Sequence, residues 1–225
     1  MAAPIAAKII LPLDTSNTGK NIRSQTRVVG SDTVHEHFFV LAREAKVFGV
    51  YRFALDQSTV AAAAQNGTTA GFLFFHLGSA VTGRAARVRR LSVTSQHSTA
   101  LATPTAPRLR AVRYTSAGAL SGTAITAAKN DSNFGAPSSI MSTANTGTTV
   151  VIVAAFAACG LAGALTAVGA YEPCYKDMVD PSSDEDDWPV FRPGEGFVVY
   201  QDTAGTAADT RKFSIQGEFD EIDTA

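Results

Sequence analysis

Charge is scarce in this sequence. Lys and Arg number 19 and Asp and Glu 20 in 225 residues, together 17 %, against a usual share of about 25 %. That shortfall excludes a coiled coil and a highly charged disordered chain. The formal net charge of −1 leaves no global field drawing the protein to nucleic acid or membrane. Cysteine is nearly absent: Cys159 and Cys174 lie too far apart for a zinc pair and are too few for a disulfide framework. One bridge is possible, and reduced thiols are expected. Histidine occurs four times, never beside a Ser or Cys motif. There is no P-loop, no Gly-x-Ser-x-Gly, no His-Glu-x-x-His and no Cys-x-x-Cys. No basic region followed by an apolar one opens the chain, so no signal peptide is expected.

Three constellations come closest to chemistry. His35 and His37 would share one strand face as a metal pair, but no third ligand is nearby, and polar strand residues are expected. The run Asp184-Glu-Asp-Asp offers carboxylates to calcium without the spacers and glycine of a calcium loop, so a solvated acidic loop is expected. Pro193-Gly-Glu-Gly lacks the third glycine of a dinucleotide fingerprint and precedes a strand, not a helix. The reading is therefore no enzyme, no cofactor and no metal.

The polar surface is left to Ser, Thr, Asn, Gln and Gly, and what remains is strand and turn. Short β-prone runs recur: His37 to Leu41, Val47 to Leu55, Gly71 to Leu77, Arg87 to Thr94, Arg108 to Thr115, Val150 to Phe156, Gly196 to Tyr200 and Arg211 to Phe219. Turn-rich joints separate them. The alternation slips by one near Arg90, which a bulge would explain. The fold class expected is all-β, a jelly-roll-like β-sandwich with an extended N-terminal arm and a long acidic loop. Residues 1–46 are expected as arm and lead-in strand, and 47–225 as the sandwich with its loop at 172–190. Residues 31–46 also admit a capped helix. In 172–190, like-charge repulsion and proline argue against any strand.

Thr148 to Tyr171 runs without a charge, long enough for a bilayer. Eight of its residues are Val, Ile, Leu or Phe, eight are Ala and six are Gly or Thr. That is weakly apolar, and no membrane span is expected. A buried strand over Val150–Phe156 is expected instead.

Charge is also unevenly placed. Seven arginines and no acid occur from Arg84 to Arg113, and fourteen acids against four basic residues from Glu172 onward. The two regions would pair within one subunit or between neighbours. The arginine stripe lacks interleaved aromatics for stacking bases, so no nucleic-acid role is read. The interface expected is Ile9, Ile10 and Leu11 on the arm, Arg87, Arg89 and Arg90 on the stripe, and Asp184, Asp186 and Trp188 at the acidic loop. Trp188 is expected to anchor that loop.

Ala86-Arg-Val-Arg-Arg-Leu-Ser-Val-Thr, Leu109-Arg-Ala-Val-Arg-Tyr-Thr with Gly122-Thr-Ala-Ile-Thr-Ala-Ala-Lys-Asn-Asp-Ser, and Phe191-Arg-Pro-Gly-Glu-Gly-Phe-Val-Val-Tyr closing on Phe213-Ser-Ile-Gln-Gly-Glu-Phe resemble small virion structural proteins of tailed bacteriophages. The resemblance spans roughly 47 to 220 in strand and turn texture. It implies a non-enzymatic capsid decoration, cement or minor capsid protein. The partners implied are copies of itself, as a trimer, and major capsid or other virion proteins. The place implied is the virion, assembled in the host cytoplasm. A neck, tail or fibre-attachment component is the alternative, and a host-glycan-binding module around Trp188 a weaker one. No catalytic residue follows from the resemblance.

Overall fold

The computed structural model describes residues 23–29, 32–38, 46–57, 63–96, 107–118, 120–145, 147–160, 174–184, 187–205 and 212–224, the first two stretches as backbone only. The chain divides into two compact units, 1–44 and 45–225. In the first, β1 (Arg23–Val29) and β2 (Asp32–Phe38) form an antiparallel hairpin paired from Arg23↔Phe38 to Val29↔Asp32. Over these stretches the chain is a paired hairpin where an extended arm is expected, and 32–38 is strand and not the capped helix that 31–46 also admits. Gly30-Ser31 is a turn signal between two β-prone runs, and a hairpin satisfies half of each strand's backbone groups without a neighbouring surface. Ile9, Ile10 and Leu11 lie outside the described residues.

The second unit is an all-β sandwich of two antiparallel sheets packed face to face. Its strands are β3 (Val47–Gln57), β4 (Leu73–Leu77), β5 (Arg84–Gln96), β6 (Arg108–Thr115), β7 (Ala128–Lys129), β8 (Ser139–Ser142), β9 (Val151–Gly160), β10 (Cys174–Val179), β11 (Val190–Phe191), β12 (Glu195–Gln201) and β13 (Lys212–Asp223). One sheet runs β10-β5-β13-β3-β7, with β11 also on β5; the other runs β8-β4-β12-β6-β9. No α-helix occurs among the described residues.

Alternation fixes which side chains meet between the sheets. Tyr51 and Phe53 of β3, Val88, Leu91 and Val93 of β5, and Ile215 and Phe219 of β13 come from one sheet. Leu73 and Phe75 of β4, Leu109 and Ala111 of β6, and Phe197 and Val199 of β12 come from the other. Phe75 lies at the centre, 5.0 Å from the rings of both Phe197 and Phe219. Along β5 the pairing with β13 jumps from Glu218↔Arg90 to Phe219↔Val88, which leaves Arg89 as an extra residue. That bulge is the slip seen near Arg90, and it lets both halves of β5 present apolar residues inward.

Gly196 shows what a missing side chain permits. A Cβ there would stand 2.0 Å from the Phe75 carbonyl oxygen and 2.8 Å from the Tyr114 ring. The Tyr114 ring therefore crosses β12 and donates its hydroxyl to Phe75 O at 2.9 Å. The described residues of 116–118, 120–122, 143–145 and 147–150 then cover the outer face of this sheet. They bury a second apolar layer of Phe74, Val112, Tyr114, Val150 and Val198, with Leu120 and Tyr200 packed against it.

Two further expectations are corrected here. Cys174–Val179 is a strand, β10, paired with β5 from Cys174↔Ser95 to Val179↔Leu91. Most of the acids lie beyond it, at 180 and onward, so repulsion does not reach the paired residues, and Asp177 meets Arg90 across the pair at 3.9 Å. The loop proper is then 180–189. The second correction concerns Val150–Phe156: β9 is present but exposed, with Val151 at 57 % and Val153 at 56 %. Among the described residues it is the last strand of its sheet, with a neighbour on one side only.

Candidate functional site

The seven arginines from Arg84 to Arg113 all find carboxylates within the same chain. Arg84 meets Glu221 at 3.0 Å, Arg87 meets Asp220 at 2.6 Å and Arg89 meets Glu218 at 3.6 Å. Arg90 meets Asp177 at 3.9 Å. On β6, Arg108 and Arg110 share Asp202, and Arg113 meets Glu195 at 3.0 Å. Every partner lies beyond residue 172. Antiparallel register explains it: β13 runs against β5, so the acids of 218–221 fall opposite the arginines of 84–90 in reverse order. Of the two pairings the sequence left open, within one subunit or between neighbours, Arg87, Arg89 and Arg90 show the first. All seven arginines are thus met by carboxylates of their own chain.

Two of these carboxylates, Asp220 and Glu221, are buried. Arg87 donates from Nε to Asp220 Oδ1 at 3.1 Å and from Nη2 to Oδ2 at 2.6 Å, a forked geometry that suits a guanidinium. Glu221 is wholly buried. Its Oε1 accepts from Ser138 N at 2.6 Å, Ser139 N at 2.8 Å and Ser139 Oγ at 3.1 Å, while Oε2 takes Arg84. This carboxylate ties the long 120–138 loop to the end of β13. Tyr51 stands nearby and donates to Gly135 O at 3.2 Å; burial and then the Glu221 charge push its phenol above the ordinary value.

Trp188 is buried, not displayed. Its indole N–H donates to Asp180 O at 3.2 Å, and the Arg87 and Arg89 guanidiniums each lie 5.3 Å from its ring. It pins the base of the acidic loop and leaves no open ring face for a sugar to stack on. Asp180 caps its own turn by accepting from Ser182 N at 2.8 Å and Ser182 Oγ at 2.7 Å, which holds its carboxyl below the usual range. Asp184 and Asp187 are exposed, and Asp186 lies outside the described residues. No group of three or more potential metal ligands occurs among the described residues. His35 and His37 are described by backbone alone. Cys159 is buried, with its sulfur 3.8 Å from the Gly160 carbonyl oxygen.

The Gly-x-Gly motif is structural. Gly194 turns the chain at φ +84°, and Gly196 admits Tyr114. An open depression of about 490 Å³ lies over β13 near Gly217, but its Arg52 and Glu218 bind each other at 2.7 Å.

One surface stands apart from this charged and self-satisfied exterior. Of the large apolar side chains left exposed among the described residues, Val151, Ile152 and Val153 adjoin one another on β9. The strand carries no charge along its ten residues. Its pairing with β6 slips twice, which leaves Val153 and Phe156 as extra residues. Phe156 turns inward against Phe191 and Phe197, at 6.0 and 5.8 Å. Val153 stays outside. Bulges are one device that blunts a sheet edge; charge, the other common one, is missing here. The described edge is thus an exposed apolar surface, and it is the candidate site.

Sequence reasoning found this strand but placed its side chains inside. It missed Asp220 and Glu221 as buried carboxylates, although the acids of 218–221 mirror the arginines of 84–90. Comparison with protein-family models, with curated proteins and with solved structures finds no match.

Proposed function

We propose that this protein is a non-enzymatic structural protein of a tailed-bacteriophage virion. In this reading it is a jelly-roll-type subunit acting as capsid decoration, cement or minor capsid protein, with neck, tail or fibre attachment as the alternative position. Its partners are copies of itself, in a trimer, and neighbouring capsid proteins. The observation that supports an assembling role is the uncharged β9 edge with Val151, Ile152 and Val153 in solvent. Apolar groups left exposed together mark association surfaces. The texture of short strands and Gly, Ser and Thr-rich turns supports the virion setting. Few long side chains would be immobilised at each contact, so little rotamer entropy opposes assembly.

Two experiments test this. Sedimentation velocity of the isolated chain is expected to show a concentration-dependent oligomer that Val151→Lys and Val153→Lys together convert to monomer. A chain that stays monomeric throughout, or an oligomer indifferent to both lysines, removes the edge from the argument. Antibody against the chain, applied to purified tailed-phage particles from cells that produce it, is expected to decorate the particle in electron micrographs. Particles without label overturn the virion assignment.

A further inference from the structure

His76 sits on β4 with its side chain on the outer face of the β8-β4-β12-β6-β9 sheet, and it is completely buried. Neither ring nitrogen meets a partner at hydrogen-bond geometry. A buried polar group left in that state is rare and costs free energy. Its neighbours are fixed by register. Ile140 of β8 lies on one side and Gly196 of β12 on the other, with Tyr114 of β6 beyond. The Tyr114 ring reaches over Gly196 and stacks on the imidazole, 5.9 Å between centroids and 12° between planes.

The cover above this face, 116–122 and 143–150, contains no charged residue. It is held by neutral bonds: Ser116 Oγ with Thr148 Oγ1 at 2.9 Å, Ser79 Oγ to Ala117 O at 3.1 Å, and Asn145 Nδ2 to Thr148 O at 2.8 Å and to Thr68 O at 3.0 Å. The titratable group packed on His76 is Tyr114, a phenol whose own burial keeps it neutral. The nearest charged residues along these strands, Arg113 and Glu195, bind each other at 3.0 Å, and Arg113 lies over Phe191 in the inner layer. Among the described residues, no carboxylate is therefore placed to receive an imidazolium.

We propose that His76 makes the cover of residues 116–118, 120–122, 143–145 and 147–150 an acid-released flap. While neutral, the imidazole is tolerated as a stacking disc within an apolar layer. Taking up a proton gives a charge that must be solvated, and the cover meets the ring through the Gly118 backbone. Opening exposes Phe74, Val112 and Val198, an apolar face on the same sheet that carries β9. Burial pushes the imidazole below its ordinary value, and a weaker interaction with the Gly118 backbone does not restore it. The open form then gains up to about tenfold in population per pH unit below the ordinary histidine range.

Hydrogen exchange by mass spectrometry on the full chain, corrected for intrinsic rate, tests this between about pH 7.5 and pH 5. The expected result is reversible loss of protection in peptides of 116–150, with binding of an apolar dye, while β5 and β13 stay protected. His76→Phe and His76→Gln are each expected to hold the cover closed across that range; the second keeps a polar group and serves if the first does not fold. A wild type that keeps protection in 116–150 down to pH 5 overturns the proposal. So does simultaneous loss of protection in β5 and β13, or a variant that opens with the wild-type profile.

Discussion

Asp220 and Arg52 carry the same kind of bond with opposite consequences. Asp220 is almost wholly buried and holds Arg87 by two hydrogen bonds, whereas Arg52 is 67 % exposed where it meets Glu218. Removing one member of a buried pair leaves the other charge without water or partner, at a cost of about 3–5 kcal/mol. An exposed pair contributes about 1 kcal/mol or less. Asp220→Asn is therefore expected to lower stability in urea several-fold more than Arg52→Ala. Equal losses would mean that the Arg87–Asp220 pair is solvated. Glycines sort the same way. Gly196→Ala sets a methyl against the Phe75 carbonyl and the Tyr114 ring, and Gly160→Ala meets nothing within 4 Å. Overpacking costs about 1–3 kcal/mol and sometimes more. Against backbone, the upper end is expected for Gly196→Ala. Thermal unfolding should then show a midpoint lowered by many degrees for it and an unmoved one for Gly160→Ala.

Between elements, β5 is the organiser. β13 pairs along its whole length on one side, while β10 and β11 share its other side, joined by the acidic loop. The loop is an excursion that leaves β5 at Val179↔Leu91 and returns at Val190↔Arg87. Trp188 and Asp180 close its neck. Trp188→Phe keeps an aromatic body and loses the bond to Asp180 O, worth about 1 kcal/mol. Limited proteolysis is expected to cut within 180–189 faster in that variant, with the sandwich fragments otherwise unchanged; an unaltered cutting rate would show that the ring alone holds the loop. This pairing also shows what the sequence could disclose. Strands β3, β5, β6, β12 and β13 were legible because one face alternates strongly, as in Arg108-Leu-Arg-Ala-Val-Arg-Tyr-Thr. β8 and β10 were not, because Ser139-Ile-Met-Ser is short and Cys174-Tyr-Lys-Asp-Met-Val runs directly into an acidic loop. β9 was legible as a strand from its β-branched residues. Its exposure was not, because composition cannot say whether an apolar strand lies inside a sheet or at its edge. The charge asymmetry was visible too, but only register shows which arginine meets which acid of the same chain.

At the scale of the whole molecule, ionisable groups that the fold keeps neutral set the pH range of stability. His76 has its value lowered, by burial first and despite the Gly118 backbone. Between its folded value and the ordinary one near about 6.5, the unfolded chain binds more protons than the folded one, so stability falls as pH drops through that interval. Tyr51 and Tyr114 have theirs raised, Tyr51 by burial and then Glu221, Tyr114 by burial. Above about pH 10 the unfolded chain releases these protons while the folded chain keeps them, so stability falls as pH rises. Asp180 acts lower down. Its carboxyl is depressed by the Ser182 bonds, so the loop neck is held above the ordinary carboxylate value and loosens as pH falls through the depressed one. The melting temperature is therefore expected to be flat between about pH 6.5 and pH 10 and to decline on both sides. Each limb has its own variant. Tyr114→Phe should make the alkaline limb shallower, leaving the part due to Tyr51, and lower the plateau slightly, because the Phe75 carbonyl loses its donor. His76→Gln should flatten the first part of the acid limb and leave the alkaline limb in place. If either variant shifts the whole curve without changing the shape of its limb, the titration driving that limb belongs to another group, and buried neutrality at that residue does not set the range.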